Sequence, residues 1–417
     1  MTSLDAVRLR AAALADQLAD RLAVPPPLEP CTDSGPSSPC WQHQSLAGGA
    51  AGIAILHGAR AQTSRGEWQA VHAWLTRATS EDLSAGPGAG LWFGAPAVAF
   101  AMEIAAEPGQ YERVHATLDA AVQRLVRTRL DQAHARMRMG AFVPRAEYDL
   151  VHGLSGLGAY LLRSDPHGGV IRAVLAYLVR LTLPLRGEPT GMSLPGWWTG
   201  DVPSRPPHAD AGGHADLGMA HGISGPLALL ALAMREGITV DGHHAAIDRI
   251  CRWMDTWRGE GPAGPWWPER VSLADLYAGR SSQSGPARPS WCYGTPGIAR
   301  AQQLAARVTG DHARQQLAEH ALDRCLSDPV QLARFIDPAL CHGWAGMIAT
   351  VWAAAVDARS PEIAAHLPNL LSPLLGIAAD DSPVPHGLID GTAGVALTLH
   401  EIVTGTRGRW QTCLLIN

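Results

Sequence analysis

The stretch AHGISGPLALLAL, residues 220–232, contains the pattern on which the fold depends. Two glycines three residues apart, Gly222 and Gly225, allow the backbone to turn tightly and to approach a neighbouring segment closely. Apolar residues then recur at helical spacing from Ile223 onward. The stretch therefore predicts a tight turn that leads directly into a buried helix.

The same turn-and-helix pattern occurs seven times along the chain. The other copies are GGAAGIAIL, FGAPAVAFAM, VHGLSGLGAYLL, CYGTPGIARA, CHGWAGMIATVW and IDGTAGVALTL. The copy FGAPAVAFAM has Ala97 in place of the second glycine. The first glycines of the seven turns are Gly49, Gly94, Gly153, Gly222, Gly294, Gly343 and Gly391. A period of about 50 residues with insertions is typical of a repeat architecture.

The segments between the turns predict a second helix in each repeat. Val114, Leu118 and Leu125 form one apolar stripe at helical spacing, and Ile247 and Met254 belong to another. Strand-like alternation is absent from most of the sequence. Each repeat is therefore predicted to be a polar-faced outer helix and an apolar inner helix. Seven such hairpins can bury their inner helices only against one another, which predicts an all-α fold, an α/α toroid (barrel) with inner and outer helix rings.

The spacing of the repeats predicts the domain organisation. We expect an N-terminal helix and a Pro- and Gly-rich lead-in over residues 1–44, and one seven-repeat toroid over residues 45–417. Residues 108–148 have room for a small insertion as well as a helix. Residues 187–216 and 259–290 predict long loops, and both end just before turns with candidate site residues. Long loops inside a compact domain are often functional.

Composition and charge exclude several classes of protein. The 417 residues are 47% hydrophobic and 17% charged, as in a globular protein with a large core. With 33 basic and 38 acidic residues the net charge is −5, so no nucleic-acid surface is predicted. Charged residues interrupt the N-terminal helix, so it does not resemble an export signal. Seven cysteines without close clusters then predict free thiols or metal ligands in the cytoplasm.

Two repeats carry a cysteine in the lead-in to the turn. Aligning the repeats on their glycines places Cys292 and Cys341 at the same position, and His342 follows the second cysteine. An isolated cysteine is often only a small buried apolar residue, but a shared repeat position predicts two thiols that face one ion. Two thiolates and an imidazole leave one position open on a tetrahedral zinc ion, as in catalytic zinc sites.

Further polar residues occupy the lead-ins of other repeats. His152 and His221 hold the position that Tyr293 holds in its own repeat. A lone histidine on a turn usually bonds locally, but the long loop before His221 favours a functional role for it. Asp149 and Arg288 also stand in lead-ins. Their position alone does not distinguish a functional role from a solvated surface charge or a helix cap.

These motifs taken together resemble the lanthionine synthetase C-like family. The most specific are RPSWCYGTPG at 288–297, CHG at 341–343, AHG at 220–222 and DLVHGLSG at 149–156. The resemblance extends through all seven glycine repeats, and the family fold is a seven-hairpin α/α toroid. No kinase-like or dehydratase region fits within 417 residues, so the chain resembles the stand-alone lanthipeptide cyclases rather than the fused bifunctional enzymes.

The resemblance implies a zinc-dependent enzyme that adds peptide cysteine thiols to dehydroalanine or dehydrobutyrine, forming (methyl)lanthionine thioether rings. The zinc ligands of the family correspond to Cys292, Cys341 and His342. Its general acid corresponds to His221, and the aspartate that orients the acid corresponds to Asp149. The arginine that stabilises the enolate oxygen corresponds to Arg288, and the site tyrosine corresponds to Tyr293. No cofactor besides Zn²⁺ is implied.

The resemblance also implies partners and a location. The substrate would be a dehydrated precursor peptide, leader plus core, supplied by a partner dehydratase in the bacterial cytoplasm, with any membrane association made through partners. Some family members have a β-rich insert before the aspartate, but residues 108–148 look helical here.

Two alternatives stay open. One is a non-catalytic relative with structural zinc that binds a peptide or glutathione. The other is a different α/α barrel zinc enzyme that alkylates thiols, such as a protein prenyltransferase β-subunit. The sites of those enzymes include a carboxylate ligand, and the Cys341-His342 pair argues against one here.

Overall fold

The computed structural model describes residues 3–27, 42–185, 193–201, 212–378 and 385–417. Most of these residues are helical, as the repeats predict. The greater part of the Pro-rich lead-in, with Cys31 and Cys40, lies outside the described residues, as do parts of the predicted loop over residues 187–216. No described helix is both long enough and apolar enough to cross a membrane.

The described helices range from four to 28 residues in length. In chain order they are α1 (Ser3–Arg21), α2 (Ala50–Gln62), α3 (Trp68–Ala78), α4 (Ala95–Ala105), α5 (Glu112–Met139), α6 (Arg145–Tyr148), α7 (Leu154–Ser164), α8 (Gly169–Leu181), α9 (Ser224–Arg235), α10 (His243–Thr256), α11 (Leu273–Ala278), α12 (Thr295–Thr309), α13 (His312–Ser327), α14 (Pro329–Leu332), α15 (Trp344–Asp357), α16 (Glu362–Ala365), α17 (Leu367–Ile377) and α18 (Thr392–Thr404). A 3₁₀ helix, Arg409–Leu414, follows α18.

The helices that follow the seven glycine turns are the most buried ones. These are α2, α4, α7, α9, α12, α15 and α18. The first glycine of the turn is the N-cap residue of all of them except α9, where Ile223 takes that place. Helices such as α3 and α10 bury one face only, as amphipathic outer helices do.

The chain divides into two compact units. The first comprises Met1–Leu125, Phe335–Cys413 and Asn417, and the second comprises Val126–Arg334 and Leu414–Ile416. In the first unit α1 packs against α18, α2 against α3, and α15 against α17. In the second unit α9 packs against α7 and α12, and α12 packs against α13. The boundary expected at residue 44 stays a prediction.

Backbone hydrogen bonds join neighbouring turns within each unit. In the second unit the amide of Leu150 donates to the carbonyl of Ala220 over 3.1 Å, and the amide of Ala220 donates to the carbonyl of Cys292 over 3.3 Å. In the first unit the amide of Cys341 donates to the carbonyl of Ile389 over 2.9 Å. Turns that are distant in sequence therefore lie side by side within each unit.

The second glycine of a turn lets its helix pack directly on the lead-in backbone. A Cβ atom at Gly297 would lie 2.0 Å from the carbonyl oxygen of Trp291, and one at Gly346 would lie 1.8 Å from that of Leu340. Each carbonyl belongs to the residue just before a lead-in cysteine. The same close contact therefore fixes both cysteine-bearing turns, which is the equivalence that the repeat alignment predicts.

Short strands occupy part of the predicted loops. β1 (His214–Asp216) pairs antiparallel with β4 (Arg270–Ser272), and β2 (Gly259–Gly261) pairs with β3 (Gly264–Trp266). Each strand has three residues, too few for an alternating pattern to appear in the sequence. Residues 108–148, all of them described, contain α5 and α6 and no strand.

Candidate functional site

A buried carboxylate lies at the centre of the candidate site in the second unit. The side chain of Asp149, between α6 and α7, is 1% exposed. Its Oδ1 accepts hydrogen bonds from the amides of His152 and Gly153 over 2.6 and 2.9 Å, and its Oδ2 lies 2.7 Å from Nδ1 of His221. Burial opposes ionisation, but hydrogen bonds from His152 and His221 outweigh it and lower the pKa of Asp149 to about 2. Asp149 is therefore ionised at neutral pH.

Asp149 determines the tautomer of His221, which precedes α9. Because the carboxylate is ionised, Nδ1 of His221 is the donor in their hydrogen bond, and Nε2 is the nitrogen left to act on a substrate. Burial lowers the pKa of His221, but the hydrogen bond and charge of Asp149, with the charge of Asp216, raise it overall. A carboxylate that orients an imidazole and favours its protonated form is suited to general acid catalysis.

Tyr293 lies beside His221 but bonds to another carboxylate. The two rings have centroids 6.4 Å apart, and the Tyr293 hydroxyl donates to Oδ2 of Asp216 over 2.7 Å. Asp216 also lies 3.8 Å from a guanidinium nitrogen of Arg145 and accepts a 3.0 Å hydrogen bond from the amide of Gly218. Burial, with the charge of Asp216, raises the pKa of Tyr293 well above its usual range. The tyrosine is therefore a protonated donor at neutral pH.

Arg288 is not joined to this group. Its side chain is half-buried, and its guanidinium makes no hydrogen bond or ion pair with any residue that the structure describes. Of the predicted catalytic residues, the structure thus brings together Asp149, His221 and Tyr293 through contacts within the second unit.

One predicted metal ligand, Cys292, also lies in the second unit. It is buried in the turn before α12, and its Sγ lies 3.5 Å from the hydroxyl of Ser290. Its carbonyl accepts hydrogen bonds from the amides of Met219 and Ala220, so its turn adjoins that of His221.

The other two predicted ligands lie in the first unit, in the turn before α15. Cys341 is half-buried, and Nε2 of His342 lies 3.5 Å from Oδ2 of Asp337. A carboxylate beside Nε2 leaves Nδ1 as the ring nitrogen available to a metal ion. Thiols and an imidazole are donors that fit zinc, whereas Mg²⁺ and Ca²⁺ prefer oxygen.

The remaining described cysteines do not share this environment. Cys251, Cys325 and Cys413 are buried free thiols. Burial raises the pKa of Cys251 and of Cys325 to about 12, so both stay protonated at neutral pH. Such thiols behave as small apolar residues.

Sequence reasoning missed three charged residues next to the predicted ones. Asp216 and Asp337 had a signal, since each stands six residues before the first glycine of its turn. Arg145 had none, because it reaches Asp216 from α6, which belongs to another part of the sequence.

Comparison with known proteins identifies a family and a fold. The family model described as lanthionine synthetase C-like protein matches residues 40–415. The nisin biosynthesis protein NisC of Lactococcus lactis subsp. lactis is 22% identical over 205 residues, 48% of this chain and 48% of that protein, so the match spans about half of the relative. The solved structure of a nisin cyclase is similar over 97% of this chain and 96% of its own, with a TM-score of 0.75 and 17% identity. The predicted α/α toroid is thereby confirmed.

Proposed function

This chain belongs to the lanthionine synthetase C-like family, and on that premise we propose that it is a zinc-dependent lanthipeptide cyclase. The reaction joins the sulfur of a peptide cysteine to the β-carbon of dehydroalanine or dehydrobutyrine. A proton then adds to the α-carbon, so that the thiol hydrogen and the double bond are consumed and a thioether is formed. The product is lanthionine or methyllanthionine.

The observation that carries the proposal is the pairing of Asp149 with His221. The carboxylate is 1% exposed and lies 2.7 Å from Nδ1 of the imidazole. A buried aspartate that raises the pKa of a partly exposed histidine is typical of sites of proton transfer. The turn of this histidine is also bonded to that of Cys292, so a proton donor and a thiol ligand come from adjoining segments.

We assign Cys292, Cys341 and His342 as the zinc ligands. Their donor types, two thiols and an imidazole, support this assignment. When bound, zinc supplies activation of the peptide thiol by favouring its thiolate form. Asp337 would hold the ring of His342 in the orientation that binds the metal.

The other residues act on the carbon skeleton of the substrate. His221 would deliver the proton from Nε2 to the α-carbon of the enolate, with Asp149 fixing its tautomer. Arg288 would stabilise the enolate oxygen, since no described residue engages its guanidinium. Tyr293 stays protonated and offers a hydroxyl near His221.

The substrate of this reaction is a peptide that already contains dehydrated residues. We therefore propose a dehydrated precursor peptide as the substrate and a dehydratase as the partner that supplies it. Chemistry of this kind needs no nucleotide.

The test measures thioether formation and zinc content separately. Purified chain is incubated with a dehydrated peptide that contains cysteine, and unreacted thiols are alkylated and counted by mass spectrometry. His221→Ala should keep its zinc yet react about 10²–10⁴-fold more slowly, as loss of a general acid predicts. Chiral analysis of the hydrolysed thioether should reveal a mixture of diastereomers, because solvent then protonates either face.

The metal assignment has its own controls in the same experiment. Cys292→Ala and Cys341→Ala should lose zinc, whereas Cys251→Ala should keep it because that thiol is buried elsewhere. Stoichiometric zinc in the Cys292→Ala, Cys341→Ala double variant would show that the ligands are wrong. If His221→Ala reacts at the parent rate and gives one stereoisomer, His221 is not the general acid. A zinc-containing parent protein without any thioether formation would favour a non-catalytic relative.

A further inference from the structure

His152 has no role in the proposed reaction, although it lies beside the proposed acid. Its Nδ1 is 3.3 Å from Oδ2 of Asp149, the same oxygen that Nδ1 of His221 contacts at 2.7 Å. The two imidazole rings stack with centroids 5.8 Å apart and planes inclined by 22°. One carboxylate and two imidazoles therefore each offer a ligand atom within 4.8 Å of the others, all inside the second unit.

We propose that Asp149, His152 and His221 form a second metal site, which binds Zn²⁺ supplied in excess of the Cys-Cys-His site. Imidazole nitrogen and carboxylate oxygen are ordinary zinc ligands, with bonds of about 2.0–2.2 Å. The contacts of 2.7 and 3.3 Å between these atoms approach the separations of ligands around one such ion, so small side-chain movements suffice.

The surroundings of the three residues favour a bound cation. Two backbone amides hold Oδ1 of Asp149, which leaves Oδ2 directed at the imidazoles. The side chain of His152 is 58% exposed, so an ion can enter from solvent. The negative charge of Asp216 also acts on His221 and adds to the attraction. Two guanidinium groups oppose it: that of Arg145 acts on His221, and that of Arg129 interacts with Asp149 and donates to the carbonyl of His152.

Metal at this site would inhibit the proposed reaction. Each imidazole would bind through Nδ1 with its proton on Nε2, so a His221 imidazolium releases one proton to solvent on binding. The bond between His221 and Asp149 is then replaced, and a metal-bound neutral imidazole is a weaker acid than an imidazolium. This consequence rests on the proposed function, whereas the binding itself does not.

The binding test compares full-length variants titrated with Zn²⁺ alone. Wild type should bind one equivalent more than His152→Ala, and His167→Ala should match wild type because His167 is an exposed histidine elsewhere in the same unit. His152→Gln, which keeps a polar side chain, should bind the additional equivalent at least about tenfold more weakly than wild type. Thermal melting without added metal checks that the variants fold alike.

Substitution by Co²⁺ identifies the ligands of the additional equivalent. An ion on two imidazoles and a carboxylate has no thiolate-to-metal charge-transfer band, whereas an ion on cysteine does. Equal equivalents in wild type and His152→Ala, or a thiolate band on the additional equivalent, would overturn the proposed site.

The inhibition test follows thioether formation with and without excess Zn²⁺. The excess should slow wild type and His167→Ala at least about tenfold more than His152→Ala. An additional equivalent that depends on His152 but causes no inhibition would uphold the metal site and count against His221 as the acid. If His152→Ala binds as much Zn²⁺ as wild type, the proposed second site is wrong, whatever the effect of Zn²⁺ on thioether formation.

Discussion

The buried carboxylate of Asp149 raises the proton affinity of His221. Burial alone would lower the pKa of this histidine, but its hydrogen bond to Asp149 and the charges of Asp149 and Asp216 raise it. The acid form of His221 is present below the raised pKa and is lost as the pH rises through it. Catalysis that needs this proton should therefore fall with increasing pH above that point.

Asp149→Asn should move this falling limb to lower pH. The amide oxygen can still accept from Nδ1, but the charge that favours imidazolium is gone, so the rate at pH 7 should drop. The pH profile of kcat/KM for cyclisation measures the shift. Asp248→Asn, a change at an exposed pair with Arg252, serves as the control and should leave the profile in place. An unshifted limb in Asp149→Asn would mean that another group provides the proton.

Asp337 is expected to act on zinc through His342. Asp337→Asn removes the charge beside Nε2 of His342 but keeps an oxygen for the amide of Ala339, so the turn is retained. Zinc affinity should fall about 10–100-fold, measured by competition with a chelator. Asp82→Asn, an exposed aspartate in the same unit, should not change it. Unchanged zinc affinity in Asp337→Asn would show that the Asp337 carboxylate does not support zinc binding by His342.

At the scale of the helices, the second glycine of a turn contributes more to stability than a glycine with open space around it. Gly346 near the start of α15 packs against the carbonyl before Cys341, whereas a Cβ atom at Gly376, near the end of α17, would meet no atom within 4 Å. Gly346→Ala should therefore destabilise the protein by about 2–3 kcal/mol, because backbone must move. Gly376→Ala should stabilise it by about 0.4–1 kcal/mol through the unfolded chain.

Urea denaturation of the two glycine variants measures this difference. Zinc affinity should also fall in Gly346→Ala, since the turn of Cys341 shifts with the helix. Equal stability of both variants would show that the close approach is not a requirement of the turn.

Residues 414–416 are part of the core of the second unit. The indole of Trp291 donates to the carbonyl of Leu414, and the guanidinium of Arg300 donates to that of Ile416, both over 2.9 Å. Arg300 is fully buried, and so are Leu414, Leu415 and Ile416. Residues more than 100 positions apart in sequence thus complete one another's hydrogen bonds.

Removal of residues 414–417 should destabilise the protein by about 3 kcal/mol or more. Buried donors on Trp291 and Arg300 lose their acceptors, at about 1–3 kcal/mol each, and three apolar side chains leave the core. Removal of Asn417 alone keeps both acceptors and should cost much less. Denaturant midpoints of the two truncated proteins and the full chain provide the comparison, and similar midpoints would contradict a structural role for these residues.

Local sequence patterns were sufficient to predict the repeats, the all-helical fold class and the family. The spacing of glycines and apolar residues acts within one turn and one helix, where chain neighbours decide the conformation. Such patterns also indicated Cys292 and Cys341, because both occupy the same position of a repeat. The three-residue strands were not predicted from the sequence, because their pairing is set by segments distant in sequence.

Tertiary structure alone decided which side chains meet. Asp149 and His221 are 72 residues apart, and Tyr293 bonds to Asp216 across 77 residues. No local pattern indicates that Asp216 is the partner of this tyrosine, because long-range packing of the turns, not chain spacing, sets the distance between them. The sequence by itself determined the repeated elements and the donor types, whereas the packing of those elements determined the contacts, the burial and hence the proton affinities of the candidate site.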